Sequence, residues 1–387
     1  DASRILEVSF NCRRLVHDRL AEVCGGEHQV PCVDELAVLT RRTTRRLREI
    51  ADEVLLLFLS ADPGYLLAST SRTSRIFCGS ALEVQSLAAG KIKIRSGDVL
   101  LSRAGAFISA GIARASEEAS AYSHVAMIFI DSDEAAEVDL EQAFVDPRVC
   151  VVEADMRVGA RVRPFKEYAN ERFARVALLR TKCPPSTAHE AARHAAALVK
   201  TYATEKMKRA GRKTVSVNDN IPYDFSLNLK DSSTLFCSQL LQIAFRSVHV
   251  PLPRFPSKIR ENCLSKFAGM KDLTTFVPTD CEIDPELSLL AEWRDLSQLS
   301  DVCLKDAAFD VIYQEMAEGR LKIEIAGLDR LLAYSKWVIR RFDLGFNHFF
   351  PKHVRPESLA LSFAVNRLGS RILRDHLREK AGQEEAC

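Results

Sequence analysis

No stretch of this 387-residue chain approaches the ~20 consecutive apolar residues that a bilayer-spanning helix needs; the longest apolar runs, such as Val54–Leu59 and Ala104–Ala113, fall well short. There is almost no net charge. The 54 Lys+Arg against 52 Asp+Glu leave +2, which excludes a strongly basic nucleic-acid binder at whole-chain level, and no nucleic-acid partner is expected. Disorder is excluded as well, because 47% of the residues are hydrophobic. A basic start followed by an apolar core and a small-residue cleavage site is not visible. The expectation is a chain made in the cytoplasm, with a signal-less route for any export.

The 11 cysteines contain no C-x-x-C pair, are odd in number and are scattered from Cys12 to Cys387. That pattern speaks for reduced, buried thiols rather than a disulfide framework. His189 and His194 are five residues apart, as are His348 and His353, so neither pair shares a helix face as zinc ligands at i, i+4 do. No metal and no organic cofactor is expected. A Gly-x-Ser-x-Gly elbow, a phosphate loop and a dinucleotide fingerprint are missing too, which leaves serine-hydrolase, kinase and dehydrogenase readings without residues.

What is present is an alternation of structural character. Residues 1–60 have the apolar period of helices, closed by the Asp62-Pro63-Gly64 turn. Short β-like runs follow at Asp98–Ser102, Val125–Ile130, Val149–Ala154, Arg161–Pro164 and Arg175–Leu179. Helical pattern returns at Ser186–Arg209, ended by Gly211, and from about Ser233 to Val248; residues 297–387 again lack strand signals. The expectation is α+β: a core at 90–296 between a helical N-terminal flank, 1–89, and a helical C-terminal extension, 297–387. The cluster Arg41, Arg42, Arg45, Arg46 and Arg48, and the tail residues Arg367, Arg371, Arg374, Arg378 and Lys380, are candidates for an anionic membrane surface. The commoner role of such a cluster is a solvated helix face with local ion pairs.

Three residue types in this core can make a nucleophilic site. Cys237, in Ser232-Ser233-Thr234-Leu235-Phe236-Cys237-Ser238-Gln239-Leu240, stands near the start of a helix that opens with Ser/Thr cap candidates. The positive end of the helix dipole favours its thiolate, and free backbone N–H groups there supply the elements of an oxyanion hole. His124 opens an apolar strand, where it can present its ring to a cleft. Glu153 is a lone carboxylate inside the next apolar strand and calls for a partner, which a histidine ring nitrogen can be. Adjacent antiparallel strands would bring His124 and Glu153 side by side.

In chain order, Gly97-Asp98-Val99-Leu100-Leu101, Ser123-His124-Val125-Ala126, Val152-Glu153-Ala154, Tyr223-Asp224-Phe225 and Phe236-Cys237-Ser238-Gln239-Leu240 resemble the circularly permuted, NlpC-type papain-like cysteine hydrolases. Within these the likeness is to the YiiX/YebB-like group, relatives of the lecithin:retinol acyltransferase-like enzymes, in which His precedes Cys. Thr275–Asp280 looks like that group's closing strand and Pro-containing turn. The resemblance spans about residues 92–296. It implies a permuted papain-like core, an antiparallel sheet packed on helices, with Cys237 as nucleophile, His124 as general base and then acid, and Glu153 orienting His124. Tyr223 would stand at the cleft wall beside the oxyanion, Asp224 would be a structural hydrogen-bonder, and Ser238 would lie on the oxyanion side. Asp98 reads as a turn-former. Gln239 departs from the Glu common at that position, which should lie beyond the chemistry.

The acyl bond attacked is open at this stage. The resemblance implies hydrolysis of an amide or ester through a thioester acyl-enzyme, on a lipid or a peptide. Two features lean to lipid acyl substrates: the apolar stretch Ala104–Ile112, placed where it could line the cleft, and the Arg-rich helices. Peptidoglycan or peptide amidase activity is the alternative, including that of an antibacterial effector whose flanks bind an immunity or carrier protein. An inactive papain-like binding module is the other.

Overall fold

The computed structural model describes residues 2–25, 33–61, 75–78, 92–171, 173–261 and 272–320, together with 265, 270, 367 and 371. Two helices lead, α1 (Ala2–Gly25) and α2 (Val33–Ala61). Then come β1 (Arg75–Cys78), β2 (Lys93–Arg95), β3 (Val99–Ala104), α3 (Phe107–Ala113) and β4 (His124–Ile130). After these follow β5 (Glu137–Asp139), α4 (Leu140–Ala143), β6 (Val149–Asp155), β7 (Gly159–Pro164), α5 (Phe165–Ala169) and β8 (Phe173–Thr181). The last elements are α6 (Pro185–Arg209), α7 (Cys237–Arg246), β9 (Ser257–Lys258), β10 (Thr274–Thr275), α8 (Pro278–Glu282), β11 (Leu287–Asp295) and α9 (Leu296–Ala317).

Seven strands form one antiparallel sheet in the order β1-β11-β8-β3-β4-β6-β7. The centre is apolar on both faces because both are covered. Val99, Leu101, Val125, Met127 and Leu179 share one cluster with Ala195 of α6, Leu240 and Leu241 of α7, Phe10 of α1 and Leu55 of α2. Leu100, Ala126, Ile128, Val151 and Val176 alternate to the other face, beside Ala143, Phe165 and Tyr168. Successive residues of one strand thus serve opposite layers, which is why β4 is buried at each position after His124. The α+β expectation, with antiparallel sheet packed on helices, holds, and the five β-like runs correspond to β3, β4, β6, β7 and β8.

The turn into β3 needs glycine. Gly97 has φ +89°, and a Cβ there would stand 2.6 Å from Cβ of Ala188 on α6. Beside it Asp98 is buried and accepts from the Arg95 N–H at 2.8 Å and from Arg180 Nε and Nη2 at 2.9 and 2.8 Å. The turn-forming role expected of Asp98 is what these bonds describe.

Several expectations need correction. The helix read from Ser233 starts at Cys237, because Ser233 is drawn into a turn with Asp231, donating to its Oδ1 at 2.6 Å. Thr275–Asp280, likened to a closing strand and Pro-containing turn, does not join the large sheet: Thr274–Thr275 forms a two-residue ribbon with β9, Pro278 opens α8, and β11 takes the closing place. The Ala104–Ile112 stretch does not lie open over a cleft. From Phe107 on it belongs to α3, mostly buried against α9, with the Phe107 and Phe309 rings 6.1 Å apart and the Tyr313 hydroxyl donating to Gly111 O at 2.9 Å.

The arginine cluster is divided between interior and surface. Arg48 is buried and paired with Glu282 and Glu292, and Arg41 is buried with its Nε 3.1 Å from Asp280 Oδ1; Arg42 and Arg46 face solvent. From α1, Arg13 forks onto both oxygens of Glu292 at 2.6 and 2.5 Å. Arg294 and Arg175 meet Asp52 of α2 at 2.5 and 2.9 Å. Burial opposes ionisation of Glu292, yet Arg13, Arg294 and Arg48 hold its carboxyl well below the usual range. The N-terminal helices are therefore fastened to the sheet by interior ion pairs. Arg374, Arg378, Lys380 and the Asp62-Pro63-Gly64 turn lie outside the described residues. Among the described residues no helix is long and apolar enough to cross a membrane.

Candidate active site

His124 is the first residue of β4, at the sheet's edge in the strand direction, where the lead-in is fixed by Ser123 N–H donating to Ser102 O at 2.9 Å. The β4–β6 register pairs Ala126 with Glu153. Glu153 is thus the diagonal, same-face neighbour of His124, a spacing that long side chains bridge. They meet: His124 Nε2 lies 2.9 Å from Glu153 Oε2. The His124 side chain is 18% exposed and that of Glu153 is 0% exposed.

The buried carboxylate has further partners. Arg161, directly opposite on β7, donates through Nε to Oε1 at 2.9 Å, and Arg163, two residues on, donates through Nη2 to Oε2 at 3.1 Å. Burial pushes Glu153 towards its neutral form, and His124 and Arg163 overcome that, so the carboxyl titrates below its ordinary value.

Cys237 begins α7 and is 6% exposed. Phe236 before it is extended (φ −108°), and the first intrahelical bond runs from Leu240 N–H to Phe236 O at 3.1 Å. The amides of Cys237 and Ser238 precede that bond, so they have no acceptor inside the helix. The cap differs from the expected Ser/Thr: Gln239 Oε1 accepts from Phe236 N–H at 3.4 Å. Gln239 Nε2 meanwhile donates to the carbonyls of Asp231 and Asn228 at 2.9 and 3.3 Å, tying the preceding loop to the helix.

The third wall is stitched in place on both sides. Ala160 N–H donates to Ile221 O at 2.8 Å, and Leu235 N–H to Pro222 O at 2.8 Å, so residues 221–223 run between β7 and the approach to Cys237. Gly159 has φ +80°, and a Cβ there would overlap the Ile221 carbonyl oxygen. Tyr223 reaches the Cys237 sulfur with its hydroxyl. Asp224 turns away, accepting from Ser226 N–H, Ser226 Oγ and Asn228 N–H at 2.7–2.8 Å, and so shapes the loop. Ser238 is fully buried, its Oγ 3.9 Å from the Cys237 sulfur.

Thiol and imidazole shift each other. Burial opposes the Cys237 thiolate, but the His124 ring, the Val125 N–H and Ser238 outweigh it, and the thiol titrates below its ordinary value. Burial also opposes the imidazolium, and bonds to Cys237 and Glu153 reverse this, raising His124 to about 10. With Nε2 on Glu153, Nδ1 is the nitrogen left for the sulfur. Each shift favours the charged form of its group, and a thiolate beside an imidazolium is the charge state of an activated thiol.

Residues 93–291 match a family model described as permuted papain-like amidase enzyme, YaeF/YiiX, C92 family. The chain belongs to this family. Membership makes it a papain-like hydrolase, as the order of its motifs implied. No curated protein and no solved structure matches it. The permuted papain-like span holds Cys237, His124 and Glu153, whereas α1 and α2 with their ion-pairing arginines lie ahead of it. Sequence reasoning pointed to His124, Glu153, Cys237 and Tyr223, which the fold brings together, and it missed Arg161, Arg163 and Asp155, the last 3.8 Å from Arg161. A signal for these existed: 153 and 155 alternate on β6, and 161 and 163 alternate on its hairpin partner.

Proposed function

We propose that the chain is a cysteine amidase in which Cys237 is the nucleophile, His124 the proton carrier and Glu153 the group that orients His124. The observation supporting this is the thiol at the first position of α7 set against a histidine whose other nitrogen is bound to a buried carboxylate at 2.9 Å. The thiolate adds to the carbonyl carbon of the substrate, and the Cys237 N–H, with Tyr223 beside it, accommodates the oxyanion. His124 gives its proton to the departing nitrogen; the C–N bond breaks, the amine leaves and a thioester remains. Water then attacks, His124 takes its proton, and the thiolate departs from the released acid.

An amide is favoured over a lipid ester. The family is one of amidases, and the features that leaned to lipid are weakened: α3 packs against α9, and Arg41 and Arg48 of the arginine cluster are held in interior pairs.

The test is brief exposure to limiting iodoacetamide at pH 6, read by mass spectrometry, followed by turnover of amides and esters of the same acyl chain. Selective modification of Cys237, lost in His124→Ala, with amide turnover abolished in Cys237→Ala, is the expected result. Modification spread evenly over the other cysteines, or turnover that survives Cys237→Ala, would overturn the reading.

A further inference from the structure

During the cycle just described His124 is charged before it protonates the leaving group and neutral afterwards. Glu153 is buried throughout, so when the imidazole loses its charge the carboxylate needs another cation or it becomes an uncompensated interior charge. Two guanidinium groups are available, and they are held differently.

Arg163 is itself buried and fixed on three sides. One edge of its fork reaches Glu153 Oε2 at 3.1 Å, another reaches Glu171 Oε1 at 2.6 Å, and its guanidinium carbon lies 4.9 Å from the centre of the fully buried Tyr168 ring. Arg161 is more exposed; besides Glu153 it lies 3.8 Å from both Asp155 and Glu171. The groups facing Glu153 are thus His124 from β4, Asp155 from β6, Arg161 and Arg163 from β7, and Tyr168 from α5, while Glu171 in the turn after α5 pairs with Arg163.

We propose that Arg163 is a positioning residue for the amidase reaction, holding the Glu153 carboxylate oriented and ionised through the half-cycle in which His124 is neutral. A planar fork braced by Glu171 and stacked on Tyr168 suits this role better than a flexible ammonium, because it fixes direction as well as charge. The inference rests on the assignment of Cys237, His124 and Glu153 above.

The experiment is the pH dependence of Cys237 alkylation by iodoacetamide, located by mass spectrometry, in the wild-type protein and in His124→Ala, Arg163→Gln and Arg163→Lys, with circular dichroism confirming the fold. Without Arg163, burial of Glu153 is less opposed, the carboxyl protonates at higher pH and the imidazolium loses its support. The acid limb of the Arg163→Gln profile moves up by about one pH unit, the effect of one close opposite charge. Arg163→Lys keeps the limb near its wild-type position and lowers the plateau several-fold. An Arg163→Gln profile that overlies wild type, or one lowered uniformly with no displacement of the limb, overturns the proposal. Should Arg163→Gln not fold, a wild-type plateau in Arg163→Lys overturns it equally. Unselective alkylation in the wild-type protein would instead sink the site assignment beneath it.

Discussion

The phenol of Tyr122 donates to Glu292 at 2.7 Å, and Tyr122 stands two residues ahead of His124. Glu292 also receives Arg13 from α1 and Arg48 from α2. One carboxylate on β11 thereby connects the lead-in of the histidine strand to two helices that precede the matched family span. Arg48 carries the connection further, to Glu282 on α8, and Arg41 reaches Asp280 on the same helix. The scaffold of the site is larger than the family's shared region.

Replacing Glu292 by Gln leaves three interior guanidinium groups without their common counter-charge. The expected cost is about 3–5 kcal/mol, the range for breaking a buried ion pair from one side, read from urea unfolding. Tyr122→Phe removes a single bond to a charged acceptor and costs roughly 1.5–3 kcal/mol. A loss under about 1 kcal/mol for Glu292→Gln would mean that the Glu292 pairs do not hold the N-terminal helices.

Substitutions at the site separate chemistry from folding. Cys237→Ala abolishes amide turnover with the unfolding midpoint little changed. His124→Ala lowers kcat/KM by about 10²–10⁴, the contribution of a positioned proton carrier. Glu153→Gln keeps the shape of the side chain and removes its charge, so kcat falls while KM changes little. A Glu153→Gln variant with wild-type kcat would remove the carboxylate from the mechanism.

Asp284 makes stability depend on pH. Burial raises its carboxyl to about 7, against the opposing N–H bonds from Glu286 and Arg254. A group whose folded value is raised stabilises fully below its unfolded value, near 3.9, and that contribution is lost as pH rises through about 7. His17, whose Nε2 lies 2.6 Å from Asp284 O, is depressed by burial and works in the opposite direction. Comparing Asp284→Asn with wild type isolates the carboxyl. The stability difference should move in the variant's favour between pH 4 and pH 8, measured by thermal unfolding in matched buffers. Parallel curves would show that Asp284 ionises normally.

The order of the candidate site residues was legible because they carry backbone signals: a histidine opening an apolar strand, a carboxylate within the next, a cysteine ahead of an apolar helical stripe. The helix start was misread by four residues, because Ser232, Ser233 and Thr234 look like caps while a side chain from inside the helix, Gln239, takes that role. The interior fate of Arg41 and Arg48 was hidden for a related reason. Helical spacing reveals that arginines share a face, but the carboxylates that bury them, Asp280, Glu282 and Glu292, are more than 230 residues away. Likewise α3 is apolar whether it lines a cleft or packs on α9, and only Phe309 and Tyr313 decide.

Gln239 gives the most discriminating substitution. Its amide nitrogen faces two carbonyl oxygens, Asp231 O and Asn228 O, while its oxygen accepts the Phe236 N–H just before Cys237. A glutamate can keep the second bond but sets an anion against both carbonyls, leaving buried acceptors facing each other. Gln239→Glu, although it restores the residue commoner in the group the sequence resembles, should therefore loosen the 224–235 loop and lower kcat several-fold, with a loss of roughly 1–3 kcal/mol in stability. Gln239→Ala, which removes the bonds without adding charge, separates the two effects: it should be less harmful than Glu. If Gln239→Glu matches wild type in both turnover and unfolding midpoint, the amide bonds from Gln239 do not position the loop before Cys237.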